Sequence, residues 1–327
     1  VSKKEIILSG MQPTGALHIG NLEGALKNWV RLQKNYEMYC CIVDWHSLTA
    51  DYENTGVLKE RIEQMAIDFL SAGLDPEECA IFIQSQVKEH AELHLLFSML
   101  ITVPTLTRLP TYTEKKEDKG LDSYGFLGYP VLQAADIIIY DAHKVPVGKD
   151  QEKHIWLAND LAKRFNSIYG PTLNEPEALF TEIPSIPGLD GRKMSKSYDN
   201  HISISATEEE TNSRLMKMFT DPQKLRKGDP GRPEICPVYT LHQVYTENAA
   251  EEIAAPCRTG ALGCVDCKKR LAANINRALA PIREKRVEIE KNKDYVWDVL
   301  KNGEQRARAK ATEVMGKVRK AMKMDYY

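Results

Sequence analysis

Short apolar strands alternate with amphipathic helices over roughly the first half of this 327-residue chain. That alternation restricts it to folds in which helices cross between parallel strands of one sheet. Glu5–Leu8, Met38–Val43 and Ala80–Ile83 read as strands. Leu22, Leu26, Trp29 and Leu32 keep helical spacing, as do Val57, Leu58, Ile62, Met65, Phe69 and Leu70 before a stop at Gly73. A helix around Glu92–Ile101 stops near Pro104, Ile137–Tyr140 reads as a further buried strand, and Glu152–Phe165 reads as a helix. From about Glu208 the pattern turns to helices separated by Pro and Gly loops. The expected fold class is therefore α/β, a doubly wound parallel sheet with a second, all-helical domain. The expected divisions are 1–200, 201–300 and a C-terminal helix over 301–327 that packs back on the first domain.

Apolar runs such as Ile137–Ile139 and Tyr39–Val43 fall far short of the roughly 20 residues that span a bilayer, so no membrane helix is expected. Val1-Ser2-Lys3-Lys4 leads straight into the first strand without the apolar stretch of a secretory signal, which places the chain in the cytoplasm. Charge is nearly balanced overall, with 44 basic against 46 acidic residues, yet residues 268–327 hold 17 basic against 8 acidic. Such a C-terminal excess suits a polyanion, or else a solvated helical surface.

The segment Gly10-Met-Gln12-Pro13-Thr14-Gly15-Ala-Leu-His18-Ile-Gly20-Asn21 lies between the first strand and the first helix. Glycines there let the backbone approach a ligand, and His18 and Asn21 add side-chain donors. The pattern is neither the GxGxxG fingerprint nor a P-loop, which argues against a dehydrogenase and against a P-loop ATPase. Far downstream, Gly191-Arg192-Lys193-Met194-Ser195-Lys196-Ser197 puts two lysines three positions apart on a Gly-tipped loop. Two cations of this kind stabilise charge on a departing pyrophosphate.

HIGN at 18–21 and KMSKS at 193–197 resemble the two signatures of class I aminoacyl-tRNA synthetases, although the first normally ends in His where this chain has Asn21. Asp44-Trp45-His46, Tyr129-Pro130-Val131-Leu132-Gln133-Ala134-Ala135-Asp136 and Val145-Pro146-Val147-Gly148-Lys149-Asp150-Gln151 extend the resemblance to bacterial tryptophanyl-tRNA synthetases over nearly the whole chain. The resemblance implies a Rossmann-like catalytic domain, a helical anticodon-binding domain, a homodimer, and L-tryptophan, ATP with Mg²⁺, and tRNA(Trp) as partners. It also implies that Asp136 accepts the indole N–H, with Tyr129 and Gln151 near the amino group of the substrate. An acceptor-only carboxylate suits an indole nitrogen, which can only donate. By the same resemblance Gln12, Pro13, Thr14, Gly20, Asn21, Gly148, Lys149, Asp150, Ile186 and the stretch Lys193, Met194, Ser195, Lys196, Ser197 contact ATP. His18, Lys193 and Lys196 meet the charge that develops during transfer. The family commonly has Glu where this chain has Lys149, and Lys119 is a further phosphate candidate. A tyrosine-specific synthetase, a related small-molecule nucleotidyltransferase and a catalytically silent tRNA-binding paralogue are the alternatives.

Seven cysteines divide by position. Cys40, Cys41 and Cys79 lie in apolar segments and read as core, whereas Cys236, Cys257, Cys264 and Cys267 fall within 32 positions and end in a CxxC pair. On spacing alone this quartet suits tetrahedral Zn²⁺, and an iron–sulfur cluster uses the same ligands. The resemblance extends to a subset of tryptophan enzymes in which such a quartet holds a [4Fe–4S] cluster, and so implies that cluster.

Overall fold

The computed structural model describes residues 4–109, 112–113, 122–148, 152–180 and 186–326. The chain forms two compact units, one of residues 1–15, 28–182 and 292–327 and one of residues 16–27 and 183–291. Residues 16–27 and 183–200 group with the second unit, and 292–327 with the first. Among the described residues, the helices of nine or more residues are α1 (Leu58–Ser71), α2 (Glu89–Ser98), α3 (Tyr124–Ile138), α4 (Glu152–Tyr169), α5 (Glu208–Met216), α6 (Pro237–Tyr245), α7 (Cys264–Glu290) and α8 (Lys293–Ala321).

In the first unit, β1 (Ile6–Met11), β2 (Glu37–Ile42), β3 (Cys79–Ile83), β4 (Lys144–Val147) and β5 (Glu177–Phe180) form a parallel sheet in the order β3-β2-β1-β4-β5. Strands buried on both faces need continuous apolar runs, and β3 is one: Cys79 to Ile83 are all buried, as are Cys40 and Cys41 of β2. The chain builds outward from β1 to β3, then returns to the other side of β1 with β4. A doubly wound sheet binds ligands at such a reversal, outside the carboxyl ends of the two flanking strands. Those ends are Met11 and Val147.

The run Ile137–Tyr140 is not a strand. Its first two residues end α3, and the turn that follows is closed by Asp141 at φ 52°. A short apolar run does not distinguish a buried strand from a helix packed on several sides, and α3 packs against both α2 and α4. β5 has an apolar run of only three residues, Ala178 to Phe180, with Ala178 and Leu179 half-buried between exposed Glu177 and Phe180, too little to mark a strand by sequence.

The C-terminal helix α8 docks on the edge strand β3 through Ala307, Ala311, Val314, Met315 and Val318, all fully buried. Gly303 permits the approach, since a Cβ there would stand 1.9 Å from the carbonyl oxygen of Ile81. Much of the basic excess of this helix is occupied within the same unit. Lys310 and Lys317 lie 3.2 and 2.9 Å from Asp141, Arg319 Nε donates to Glu92 at 2.8 Å, and Lys293 pairs with Glu63 at 2.5 Å. These cations fasten α8 to α1, to α2 and to the turn after α3, so this part of the 268–327 excess is engaged within the chain.

The second unit packs α5 and α6 on α7 around Leu215, Leu241, Leu271, Ile275 and Leu279, each fully buried. Residues 16–27 join it through a π-helical turn at Leu22–Leu26, whose Glu23 accepts from the Tyr245 hydroxyl at 2.7 Å. Among the described residues no helix is long and apolar enough to cross a membrane.

Candidate active site

In the first unit, the carboxyl end of β1 runs into Gln12, Pro13 and Thr14. The Thr14 N–H folds back onto the Gln12 carbonyl at 2.8 Å and Gly15 follows at φ 106°, so Pro13 is buried while Gln12 and Thr14 stay exposed. Gly148 follows β4 on the other side of the reversal, half-buried. Lys119, Lys149, Asp150 and Gln151 lie outside the described residues.

Asp136 sits in the same unit on α3, buried, with donors arriving from three other segments. His90 Nδ1 is 2.6 Å from Oδ1, His46 Nε2 is 2.8 Å from Oδ2, and Gln84 Nε2 is 2.8 Å from each oxygen. The amide orientation of Gln84 is fixed because its Oε1 accepts the Trp45 N–H at 3.1 Å. Burial pushes the Asp136 carboxyl up, but the two imidazoles outweigh it and hold the group well below the usual carboxylate range. Tyr129, two helical turns earlier on the same face of α3, is buried and stands edge-on to the His46 ring at 6.3 Å. The structure thus joins Asp136 to Tyr129 through His46. His90, Gln84 and Tyr140 escaped the sequence reading. Only His46 carried a local signal, inside the Asp44-Trp45-His46 motif.

In the second unit, the two signature loops meet. Residues 17–19 pair antiparallel with 202–204: the Ile19 N–H donates to the Ile202 carbonyl at 2.9 Å and the Ile204 N–H to that of Leu17 at 3.0 Å. His18 Nδ1 accepts the Asn21 N–H at 3.2 Å, and Asn21 Oδ1 accepts the His18 N–H at 3.1 Å. The side chain of Asn21, the departure from the usual signature, therefore holds the His18 backbone, while the ring is held by the Asn21 backbone N–H. With Nδ1 accepting, a neutral ring carries its proton on Nε2. Burial, then Lys196 and His201, lower the His18 pKa to about 4, so the ring is neutral at neutral pH. Gly20 is required by the crowding, since a Cβ would stand 2.9 Å from His18 Nδ1 and 3.4 Å from the Met194 side chain.

The second loop is held by its backbone. Buried Met194 donates its N–H to the carbonyl of buried Ile186 at 3.2 Å, and Pro187 bridges to Lys193. Asn200, also buried, accepts the Ser195 N–H at 2.7 Å and donates to Asp190 at 2.7 Å and to the Lys193 carbonyl at 3.2 Å. The Ser197 N–H donates to Ser195 Oγ at 3.3 Å, and Arg214 anchors the far end on Asp199 and the His201 carbonyl. Lys193 and Ser197 are exposed on this frame, with Ser195 and Lys196 half-buried. Asn200 and Arg214 were not foreseen, because they touch the motif only once the loop has closed.

Cys236, Cys257, Cys264 and Cys267 line one recess of about 20 Å³, together with Thr220, Asp221 and Lys224. Burial first, and then the three other thiols, push Cys267 up to about 12. Among the described residues no three His, Cys, Asp or Glu side chains are grouped tightly enough to hold a single metal ion.

The family described as tRNA synthetases class I (W and Y) matches residues 2–280. A tryptophan–tRNA ligase of Thermotoga maritima is 49% identical over 324 residues, covering 97% of this chain and 99% of that protein. One from Aquifex aeolicus is 42% identical, with 97% and 99% covered. Among solved structures, tryptophanyl-tRNA synthetase from Campylobacter jejuni complexed with ADP and tryptophan superposes with a TM-score of 0.87 at 34% identity, covering 97% of this chain and 99% of that one. A match that runs through both signature loops and on to residue 280 leaves one assignment: the chain belongs to the class I tRNA synthetase family of tryptophan and tyrosine enzymes.

Proposed function

We infer that this chain activates L-tryptophan with ATP and transfers it to tRNA(Trp). The observation that carries the reading is Asp136, an ionised acceptor-only carboxylate buried among donors, matched to an indole N–H that can only donate. The tryptophan carboxylate attacks the α-phosphorus, pyrophosphate leaves, and a terminal ribose hydroxyl of the tRNA then takes the acyl group. Catalysis is positioning and charge stabilisation, with His18, Lys193 and Lys196 facing the phosphates and no protein nucleophile. Gln12, Pro13, Thr14, Gly20, Asn21, Gly148, Lys149, Asp150, Ile186, Met194, Ser195 and Ser197 surround ATP, and Mg²⁺ arrives with the nucleotide. Tyr129 and Gln151 orient the amino group. Exchange of pyrophosphate into ATP, run with each of the twenty amino acids, tests the reading: tryptophan alone is expected to support it, and exchange with tyrosine would overturn it.

The helical residues 201–300 bind the anticodon in this reading. A groove of about 610 Å³ between α5 and α7, lined by Asn212, Lys269, Asn276 and Arg277 with one carboxylate, Glu208, supports it by setting two cations beside amides. The active species is a homodimer, for which the support is apolar exposure on neighbouring elements of the first unit: Leu95, Met99, Val103, Tyr124 and Trp156 are each more than half exposed. A second copy of the chain covers them, and sedimentation at micromolar concentration is expected to give twice the chain mass.

The four late cysteines hold a [4Fe–4S] cluster that fixes the loops of the second unit. The support is that the four thiols line one recess, and four cysteine thiolates are the ligand set of such a cluster. About four irons per chain after anaerobic purification are expected, and one zinc would reverse the choice.

A further inference from the structure

We infer that His90, backed by Tyr140, is a positioning residue that selects tryptophan by fixing which oxygen of Asp136 meets the indole N–H. The inference rests on the reading of Asp136 as the indole acceptor. It concerns a side chain that the sequence motifs do not mark.

A carboxylate offers about four acceptor directions, two on each oxygen. On Asp136 the single Gln84 amide nitrogen lies 2.8 Å from both oxygens, so it favours neither. The two imidazoles break that symmetry. His90 meets Oδ1 at 2.6 Å with its side chain fully buried, and His46 meets Oδ2 at 2.8 Å while turning its edge toward Tyr129. Oδ2 therefore faces the side where Tyr129 stands, and Oδ1 faces the core.

What holds His90 comes from behind. Its Nε2 lies 2.6 Å from the hydroxyl of Tyr140, itself fully buried and stacked on Tyr39 at 4.6 Å. Burial, with Cys41 and Asp136 nearby, pushes the Tyr140 hydroxyl well above its usual range, so it keeps its proton and donates. With the Tyr140 hydroxyl donating to Nε2, the Nδ1 of His90 is left as the donor to Oδ1. The chain Tyr140 O–H to His90 Nε2, then His90 Nδ1–H to Asp136 Oδ1, thus pins one oxygen. The other has only to release a shared Gln84 proton to accept from a ligand. Without the pin the carboxylate rotates, and the acceptor loses its direction.

The test compares tryptophan with 3-benzothienylalanine, which has sulfur in place of the indole N–H, in pyrophosphate exchange. His90→Asn puts an amide nitrogen where Nδ1 was, whereas His90→Gln puts it where Nε2 was, away from Asp136. The ratio of kcat/KM for tryptophan over the sulfur analogue should stay within about threefold of the unmutated protein in His90→Asn. It should fall about tenfold in His90→Gln, the worth of one charge-assisted hydrogen bond. Tyr140→Phe should lower it about two- to threefold. Activity on the sulfur analogue is expected to change little in all of them, which a packing role alone would not produce. Equal losses on both amino acids in His90→Gln, or equal ratios in the Asn and Gln variants, would overturn the role of His90. Asp136→Asn separates the underlying reading: if its losses on the two amino acids are equal, Asp136 does not read the N–H at all.

Discussion

The Asp136 pocket and the His18–Lys196 loops hold charge by opposite means. In the pocket a buried anion is fixed by side chains, with His46, Gln84 and His90 all aimed at one carboxylate and little solvent at any of them. In the loops the backbone is fixed, by Ile186, Asn200 and the pairing of 17–19 with 202–204, and the cations Lys193 and Lys196 project from it. A preorganised buried acceptor suits recognition, because an unpaired polar group in a dry site rejects a wrong ligand strongly. Long cations on a braced loop suit charge that moves during a reaction. On the proposed reading, selection falls to the first unit and rate to the second, and each can be broken separately.

The largest effect should come from Lys196→Ala. Removing a cation that meets the leaving pyrophosphate is expected to lower kcat for pyrophosphate exchange by about 10²–10³-fold with little change in KM for tryptophan. A raised KM for ATP at unchanged kcat would show a ground-state contact and erase the contrast. Asp136→Asn comes next. The amide replaces a charge-assisted acceptor, a change of about 1.5–3 kcal/mol, so tryptophan activation should fall roughly tenfold to a hundredfold with native circular dichroism. Normal activation by the folded variant would move selection elsewhere.

Asn200→Ala sharpens the loop side of the comparison without touching a cation. It removes the buried side chain that holds the half-buried Ser195 N–H and the Lys193 carbonyl. A loss of about 1–3 kcal/mol in loop order should appear as roughly a tenfold lower kcat. The preference for tryptophan over its sulfur analogue should not move. A changed preference would mean that the loop takes part in selection.

The loops were legible in the sequence because most of their determinants are local. Gly10 to Asn21 and Gly191 to Ser197 are contiguous, and His18 is capped by a residue three positions on. The pocket was legible only at Asp136 and Tyr129. Its donors come from 90, 52 and 46 positions away, a distance at which spacing carries no information. The same limit explains the basic tail: a count of charges on α8 does not reveal that Asp141, held at φ 52° by the turn after α3, pairs with Lys310 and Lys317. Local patterns located the elements, while ion pairs between distant segments decided what the charges do.

The smallest expected effect is on proton binding at His18. Burial is the main reason its pKa is lowered to about 4, with Lys196 second. An unfolded histidine titrates near 6.5. Between these two values the unfolded chain binds the proton more readily, so stability rises with pH across that window. The contribution of His18 is therefore complete above about pH 6.5 and lost progressively as pH falls toward 4. The ring stays neutral throughout the physiological range. Exchange activity should consequently show no break from His18 between about pH 6 and 8. In Lys196→Ala the repulsion from the lysine disappears while burial remains, so the midpoint should rise only part of the way back. In Asp136→Asn, a change in the other unit, it should not move. Proton NMR of the histidine C2–H signals reads all three proteins. A midpoint near 6.5 in the unmutated protein would contradict the buried placement of His18. One that ignores Lys196 would separate the two signature loops that the structure brings together.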